Sequence, residues 1–130
     1  MSSQAYSNLP VYQKSLALKD LSAAVAHYFA KDYSNYKLSR TASLRDVIAN
    51  SLIADTSLII ASIENASNAT CSASRARNAS QINVIIRNLL SYCNGLEKDG
   101  VKEREYLNLL RYELKAFRKS FKVWRKSILK

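Results

Sequence analysis

Apolar and basic positions follow two adjacent helical stripes in the C-terminal segment, residues 101–128. In each stripe successive members are three or four residues apart, which keeps them on one face of a helix with about 3.6 residues per turn. The sequence therefore predicts a terminal helix with an apolar seam toward a core and a cationic ridge beside it. The apolar seam consists of Tyr106, Leu110, Leu114, Phe117, Phe121, Trp124 and Ile128. The cationic ridge consists of Arg104, Asn108, Arg111, Lys115, Arg118, Lys122 and Arg125.

Three further segments with helical periodicity precede residues 101–128. Pro10 suits the first turn of a helix, where its missing N–H leaves no hydrogen bond unmade. Gly100 suits the left-handed position that commonly ends a helix. Segments 32–38 and 65–74 hold small and polar residues without an apolar pattern, and they are predicted to be connections. The four helices are predicted at about 10–31, 40–66, 74–98 and 101–128.

The second helix has the broadest apolar pattern of the first three. A stripe that faces one core takes about a third of a helix circumference, and the second helix exceeds this. We therefore expect it either to lie centrally in the bundle or to be buried against another subunit as well. Its apolar residues are Leu44, Val47, Ile48, Leu52, Ile53, Leu58, Ile59, Ile60 and Ile63. The first helix offers Leu18, Leu21, Val25 and Tyr28, with Leu16 and Phe29 beside them, and the third offers Ile82, Ile85, Ile86, Leu89, Leu90, Tyr92, Cys93 and Leu96.

Composition favours a helical protein. Two glycines and one proline in 130 residues are too few for the many reversals of a protein built from short strands. One domain is expected at this length. The prediction is an all-α fold, an up-down-up-down antiparallel four-helix bundle formed by a single domain over residues 1–130.

Charge is concentrated in the last helix. The chain carries 20 basic and 10 acidic residues, a formal net charge of +10, and +7 of this excess lies from Lys102 onward, where ten bases oppose three acids. Such a stripe is typical of a surface that contacts a long polyanion, whereas a small-molecule substrate needs a pocket. The predicted nucleic-acid-binding residues are Arg104, Arg111, Lys115, Arg118, Lys119, Lys122, Arg125 and Lys126, together with Arg75 and Arg77 at the start of the third helix.

Few residue types needed for catalysis are present. His27 is the only histidine, and neither Cys71 nor Cys93 lies in a CxxC motif, so neither a nucleophile–histidine pair nor a zinc site is indicated. Two glycines cannot form a phosphate-binding loop. We therefore expect no enzymatic activity, no cofactor and no metal, and we expect Cys93 to be a core residue. Asp55, alone in an apolar run, is interpreted as a boundary or inter-subunit hydrogen-bond acceptor.

The chain has neither a signal-like N-terminus nor a long uninterrupted apolar run. A cytoplasmic protein without a membrane span is therefore expected.

Several local motifs accompany this pattern. They are Pro10-Val11-Tyr12 at the entry to the first helix, the LSRTASLRD segment at 38–46, the paired Arg75 and Arg77, and, in the last helix, Tyr106 and the Phe-x-x-Trp-x-x-Ser close at Phe121, Trp124 and Ser127. With length and basicity, they resemble a bacterial four-helix-bundle family. That family includes proteins encoded in intervening sequences of large-subunit ribosomal RNA genes and the Avd-like accessory variability determinants of diversity-generating retroelements. The polar segment 65–74 departs from the family pattern.

The resemblance implies a function as well as a fold. Avd-like proteins are highly basic, barrel-shaped homopentamers that bind the retroelement reverse transcriptase and its template RNA and support mutagenic cDNA synthesis. The intervening-sequence relatives are in general less basic, so the charge of +10 favours the Avd-like side. The expected partners are thus further copies of the chain, a reverse transcriptase, and structured RNA or its cDNA.

Two alternatives stay open at this point. In one, the protein is an interaction module of the intervening-sequence type, and the cationic ridge docks an acidic protein without contacting nucleic acid. A steep loss of RNA binding with rising salt separates the polyanion hypothesis from this one. In the other, the last helix lies on an anionic membrane through Phe117, Phe121 and Trp124, which is disfavoured because three other amphipathic helices need the same face for a core.

Overall fold

Four long helices make up most of the chain that the structure describes. The structure is a computed structural model that describes residues 6–34, 44–101 and 104–129, with the side chains of all of these except 30–34. The helices are α1 (Pro10–Ser34), α2 (Leu44–Asn68), α3 (Ser72–Lys98) and α4 (Arg104–Ile128).

Each helix packs against two neighbours. Helix α1 contacts α2 and α4, and α3 contacts the same two helices on the opposite side. Because only residues 69–71 join α2 to α3, these two packed helices run antiparallel. The all-α four-helix bundle expected from the sequence is confirmed.

One hydrophobic cluster joins all four helices. Its largest fully buried side chains include Phe29 of α1 and Phe117 and Phe121 of α4. Cys93 is buried in the same cluster, as predicted. Burial of each large apolar side chain contributes about 1.5–3 kcal/mol, so this cluster dominates the stability of the bundle.

The apolar seam of α4 is confirmed with one correction. Leu110, Leu114, Phe117, Phe121 and Trp124 are buried, and Ile128 packs partly buried against the core. Tyr106 was assigned to the seam wrongly: it is 36 % exposed, and its ring lies against Tyr28 with centroids 4.7 Å apart. Leu107 takes the core position. Leu16 of α1, also expected near the core, is exposed.

Several of the predicted helices were too short. Helix α1 continues to Ser34, so the connection predicted at 32–38 does not begin at residue 32; residues 35–43, including the predicted start of the second helix, lie outside the described part. The 65–74 connection is also corrected, because α2 runs to Asn68 and α3 begins at Ser72. Small polar residues in these stretches leave a helix unbroken. The last helix was predicted from residue 101, but Val101 is not helical and the described helix begins at Arg104.

The turn after α3 follows the prediction for Gly100. Its φ angle is 84°, in the left-handed region where a side chain would be strained. The amide of Gly100 donates to the carbonyl of Glu97, and that of Val101 donates to Leu96, at 3.1 and 3.4 Å. These two bonds form a Schellman motif, with Val101 buried as its apolar contact. The turn therefore ends α3 and buries Val101 beside it.

Helix α2 keeps a large apolar surface outside the core. Ile48, Leu52, Ile59 and Ile63 are buried, whereas four other apolar residues are exposed: Leu44, Val47 and Leu58 flank the buried stripe on one side, and Ile53 flanks it on the other. We name Leu44, Val47 and Leu58 the α2 outer face. Among the described helices, α2 alone has the length and hydropathy of a membrane span, although its buried side belongs to the bundle core.

Asp55 has a partner within its own chain. The hydroxyl of Tyr92 in α3 donates to the Asp55 Oδ2 at 2.6 Å. Asp55 is half-buried, in agreement with its interpretation as a boundary residue, and the bond links α2 to α3. Its alternative interpretation as an inter-subunit acceptor stays a prediction. Desolvation, with this bond and the charge of Asp55, raises the pKa of Tyr92.

Candidate polyanion-binding surface

Six basic side chains form one exposed surface along the C-terminal half of α4. Each is exposed, and none makes an ion pair or hydrogen bond with any other residue that the structure describes. We name this set the cationic face. It consists of Lys115, Arg118, Lys119, Lys122, Arg125 and Lys126.

The core positions this surface. Phe117, Phe121 and Trp124 are at most 6 % exposed and fix the rotation of α4 about its axis. Residues one position away on the helix, such as Arg118, Lys122 and Arg125, are then turned about 100° toward solvent. The cations thus point outward as a consequence of aromatic burial, without ion pairs to hold them.

The N-terminal end of the predicted ridge is paired within the molecule. Arg111 Nη2 donates to Glu97 Oε1 at 2.6 Å and to Asn94 Oδ1 at 2.9 Å. Arg104 Nη1 lies 3.9 Å from the other Glu97 oxygen. The hydrogen bond and charge of Arg111 hold the pKa of Glu97 below its ordinary value of 4.5. The pair therefore stabilises the fold above that pH and is lost as the pH falls through the lowered pKa.

The pairing of Arg111 and Arg104 with Glu97 was not predicted from the sequence. The available signal was an acidic residue at the end of α3, just before a tight turn that returns the chain beside α3. Arg111 and Arg104 consequently remain candidate anion contacts only where a ligand competes with Glu97.

Arg75 lies apart from the cationic face and holds two chain segments together. Its Nε donates to the carbonyl of Ile128 at the end of α4, and its Nη1 donates to the carbonyl of Ala69 after α2, both at 3.2 Å. These carbonyls lie at helix ends, where no intrahelical donor reaches them. The assignment of Arg75 to nucleic-acid binding stays a prediction, but its guanidinium already has a structural role. Arg77, two residues further along α3 and therefore on a different side of the helix, is exposed.

A small apolar notch opens beneath the cationic face. It has a volume of about 200 Å³ and lies between α3 and α4. Ile86, Leu90 and Leu114 line it with Arg111, Lys115 and Arg118. The basic side chains therefore stand over an apolar floor, where their methylene stems are partly covered and their charged ends meet water.

Other titratable groups do not converge on one point. Tyr12 donates to Glu64 Oε2 at 3.1 Å, and desolvation raises its pKa. Burial raises the pKa of the Cys93 thiol to about 11, so it stays protonated at neutral pH. No cluster of three or more His, Cys, Asp or Glu residues occurs within residues 6–29, 44–101 and 104–129. The exposed bases of α4 are suited to binding an anion through fixed charges.

Comparison of the chain with protein-family models, curated proteins and solved structures gave no match. The case for a function therefore depends on the geometry of the surfaces and on the sequence pattern.

The contacts of Arg75 predict a loss of stability on substitution. Arg75→Ala is expected to lower the free energy of unfolding by about 1.5–3 kcal/mol, because two carbonyls at helix ends lose a charged donor. Arg75→Lys keeps the charge but cannot span both carbonyls, so it is expected to recover less than half of that loss. Thermal unfolding followed by circular dichroism measures both.

Arg77→Ala is the matched control, with an expected change within about 0.5 kcal/mol. Equal stability of the Arg75→Ala and Arg77→Ala variants would contradict the structural role of Arg75.

Proposed function

We propose that this protein is a non-enzymatic, basic accessory subunit of a diversity-generating retroelement. In this role it binds the reverse transcriptase and its template RNA or cDNA and supports mutagenic reverse transcription. The cationic face of α4 carries the proposal, and the resemblance of the sequence to Avd-like proteins supplies the biological setting.

A nucleic-acid backbone fits the cationic face in charge and length. From Lys115 to Lys126 the face extends about 16 Å along the helix at about 1.5 Å per residue, and a nucleic-acid strand of that length carries several phosphates. Lys and Arg side chains that project from one exposed helix can contact phosphates without reading bases. The proposed binding is therefore independent of sequence, and the reverse transcriptase supplies the selection of template.

Reversal of three charges is the direct test of this surface. The triple variant Lys115→Glu, Arg118→Glu and Lys122→Glu is expected to lose RNA binding by at least about a hundredfold, because it replaces attraction by repulsion along the whole face. Fluorescence anisotropy with a labelled structured RNA at about 0.15 M salt measures the loss, and circular dichroism checks that the helices remain.

A charge-matched control uses exposed bases on the other helices, Lys14→Glu, Arg87→Glu and Lys98→Glu. Each reversal removes two units, so both triple variants have a net charge of +4 in place of +10. Equal loss of affinity in the two variants would assign binding to net charge alone and would remove this role from α4.

Glu97 gives a second, opposite prediction. Glu97→Gln removes the carboxylate that holds Arg111 and Arg104, so both become available to phosphates. We expect RNA to bind about two- to fivefold more tightly, the range of one exposed ion pair. Glu105→Gln removes the same charge from an exposed position on α4 without a described ion pair, and serves as the control. Weaker or equal binding of Glu97→Gln relative to Glu105→Gln would contradict the proposed extension of the surface.

Self-association is the second part of the proposed function. Between Val47 and Ile63 the only charged residue is Asp55, and it is already bonded to Tyr92. The α2 outer face can therefore be buried without desolvating an unpaired charge, and interface centres are depleted in charged residues. The resemblance implies a homopentamer. Assembly through α2 would leave α4 exposed and repeat its cationic face. One long RNA would then contact several copies of the face at once and bind the assembly more tightly than a single chain.

Light scattering tests this assembly. The unmodified protein is expected to have a mass of several times the 14.6 kDa of one chain. Leu58→Glu, at a 41 % exposed position of α2, is expected to shift the mass toward the single chain, because it places an unpaired charge in the contact. Leu109→Glu, at a 53 % exposed position of α4, should leave the mass unchanged. A single-chain mass for the unmodified protein would exclude assembly.

A further inference from the structure

A second cleft lies between the start of α1 and the end of α4. Its volume is about 500 Å³, more than twice that of the notch beneath the cationic face. The lining residues are Leu9, Pro10 and Val11 from the first segment and Lys119, Ser120, Val123, Trp124 and Ser127 from α4. Small-molecule sites typically occupy about 300–1,000 Å³, so the cleft is of the size that takes a small molecule.

The walls of this cleft are mostly apolar. Trp124 and Val11 are nearly buried, whereas Val123 is 73 % exposed at the opening. An apolar side chain that exposed, next to a buried tryptophan, leaves hydrocarbon surface in contact with water. A hydrocarbon chain or ring that enters the cleft would remove this surface from water, which is favourable in proportion to its area.

The polar side of the cleft is positive. Lys119 lines it, and Lys126 extends the exposed positive charge of α4 by two further turns. Neither lysine pairs with a described acidic residue, and no acidic residue is among those that line the cleft. Ser120 and Ser127 add hydroxyl groups, of which that of Ser127 donates to the Trp124 carbonyl at 2.8 Å. Charge complementarity therefore selects an anionic head group.

We propose that this cleft is a binding site for a small amphiphilic carboxylate. The hydrocarbon part lies against Val11, Val123 and Trp124, and the carboxylate pairs with Lys119. This ligand class fits both halves of the site, since a nucleic-acid backbone has no hydrocarbon tail to fill the apolar half. The site adjoins the cationic face and shares Lys119 with it.

The chain contains a suitable reporter for the test. Trp124 is the only tryptophan, and it lines the cleft, so its fluorescence reports occupancy directly. The protein is titrated with hexanoate, heptanoate and octanoate below their micelle concentrations, and calorimetry checks for one site per chain. We expect saturable binding that tightens about fourfold with each added methylene while the cleft has room. Octyltrimethylammonium, which has the opposite charge and a tail one methylene longer, is expected to bind at least about tenfold more weakly.

Val123 offers a test that does not depend on the fold, because its side chain is largely exposed. Val123→Glu and Val123→Lys obstruct the opening to a similar degree but with opposite charge. Octanoate is expected to bind about tenfold more tightly to the lysine variant than to the glutamate variant. Tyr112→Glu, at a 72 % exposed position of α4 outside the cleft, should retain the affinity of the unmodified protein. Lys119→Gln is expected to weaken octanoate about two- to fivefold.

Three results would each overturn the proposal. One is the absence of saturable octanoate binding, which would leave the cleft to a second copy of the chain or to a partner protein. Another is equal affinity for octanoate and octyltrimethylammonium. The third is equal affinity of the two Val123 variants. RNA binding of Val123→Glu, measured alongside, keeps this proposal distinct from the role of the cationic face, since loss of octanoate with retained RNA binding locates the ligand in the cleft.

Discussion

Burial of the aromatic side of α4 is what orients the cationic face. Phe117, Phe121 and Trp124 enter the core, and each such burial contributes about 1.5–3 kcal/mol, whereas an exposed ion pair contributes at most about 1 kcal/mol. The rotation of the helix is therefore set by its apolar residues. The bases beside that apolar side, about 100° further round the helix, are displayed to solvent by the same packing, and no acidic residue is needed to orient them.

The bundle separates two kinds of surface. Helix α4 displays charge, and α2, which packs against α1 and α3 and not against α4, displays Val47, Leu58 and their apolar neighbours. An uncharged outer face can be covered by another protein surface at small desolvation cost, and a charged face gains from a soluble polyanion. A single helical domain can thus combine assembly through one helix with anion binding through another.

The structural features that depend on local periodicity were predicted from the sequence. The number of helices, the buried stripe of α4 and the left-handed Gly100 all followed from spacing and residue type, because these features are decided within one or two turns of chain. The helix ends at 65–74 were misplaced because the prediction rested on local residue preference alone. Ser and Asn are weak helix formers, but packing against neighbouring helices outweighs that preference.

Contacts between distant segments could not be predicted from local sequence patterns. Arg75 finds its acceptor at Ile128, 53 residues away, and the cleft beside Trp124 combines Leu9, Pro10 and Val11 with the last turns of α4. Pairing of Arg111 with Glu97 likewise depends on how the Gly100 turn sets α3 against α4. A periodic stripe shows which residues share a face, but neighbouring helices decide which of them stay unpaired.

The salt dependence of RNA affinity tests the central claim most directly. Each phosphate that a lysine or arginine neutralises adds about 0.7 to 0.9 to the slope of log affinity against log salt concentration. With all six residues of the cationic face engaged, a titration from about 0.05 to 0.3 M salt should give a slope between about −4.2 and −5.4. A slope near zero, or RNA binding that is absent at the lowest salt, would contradict the account.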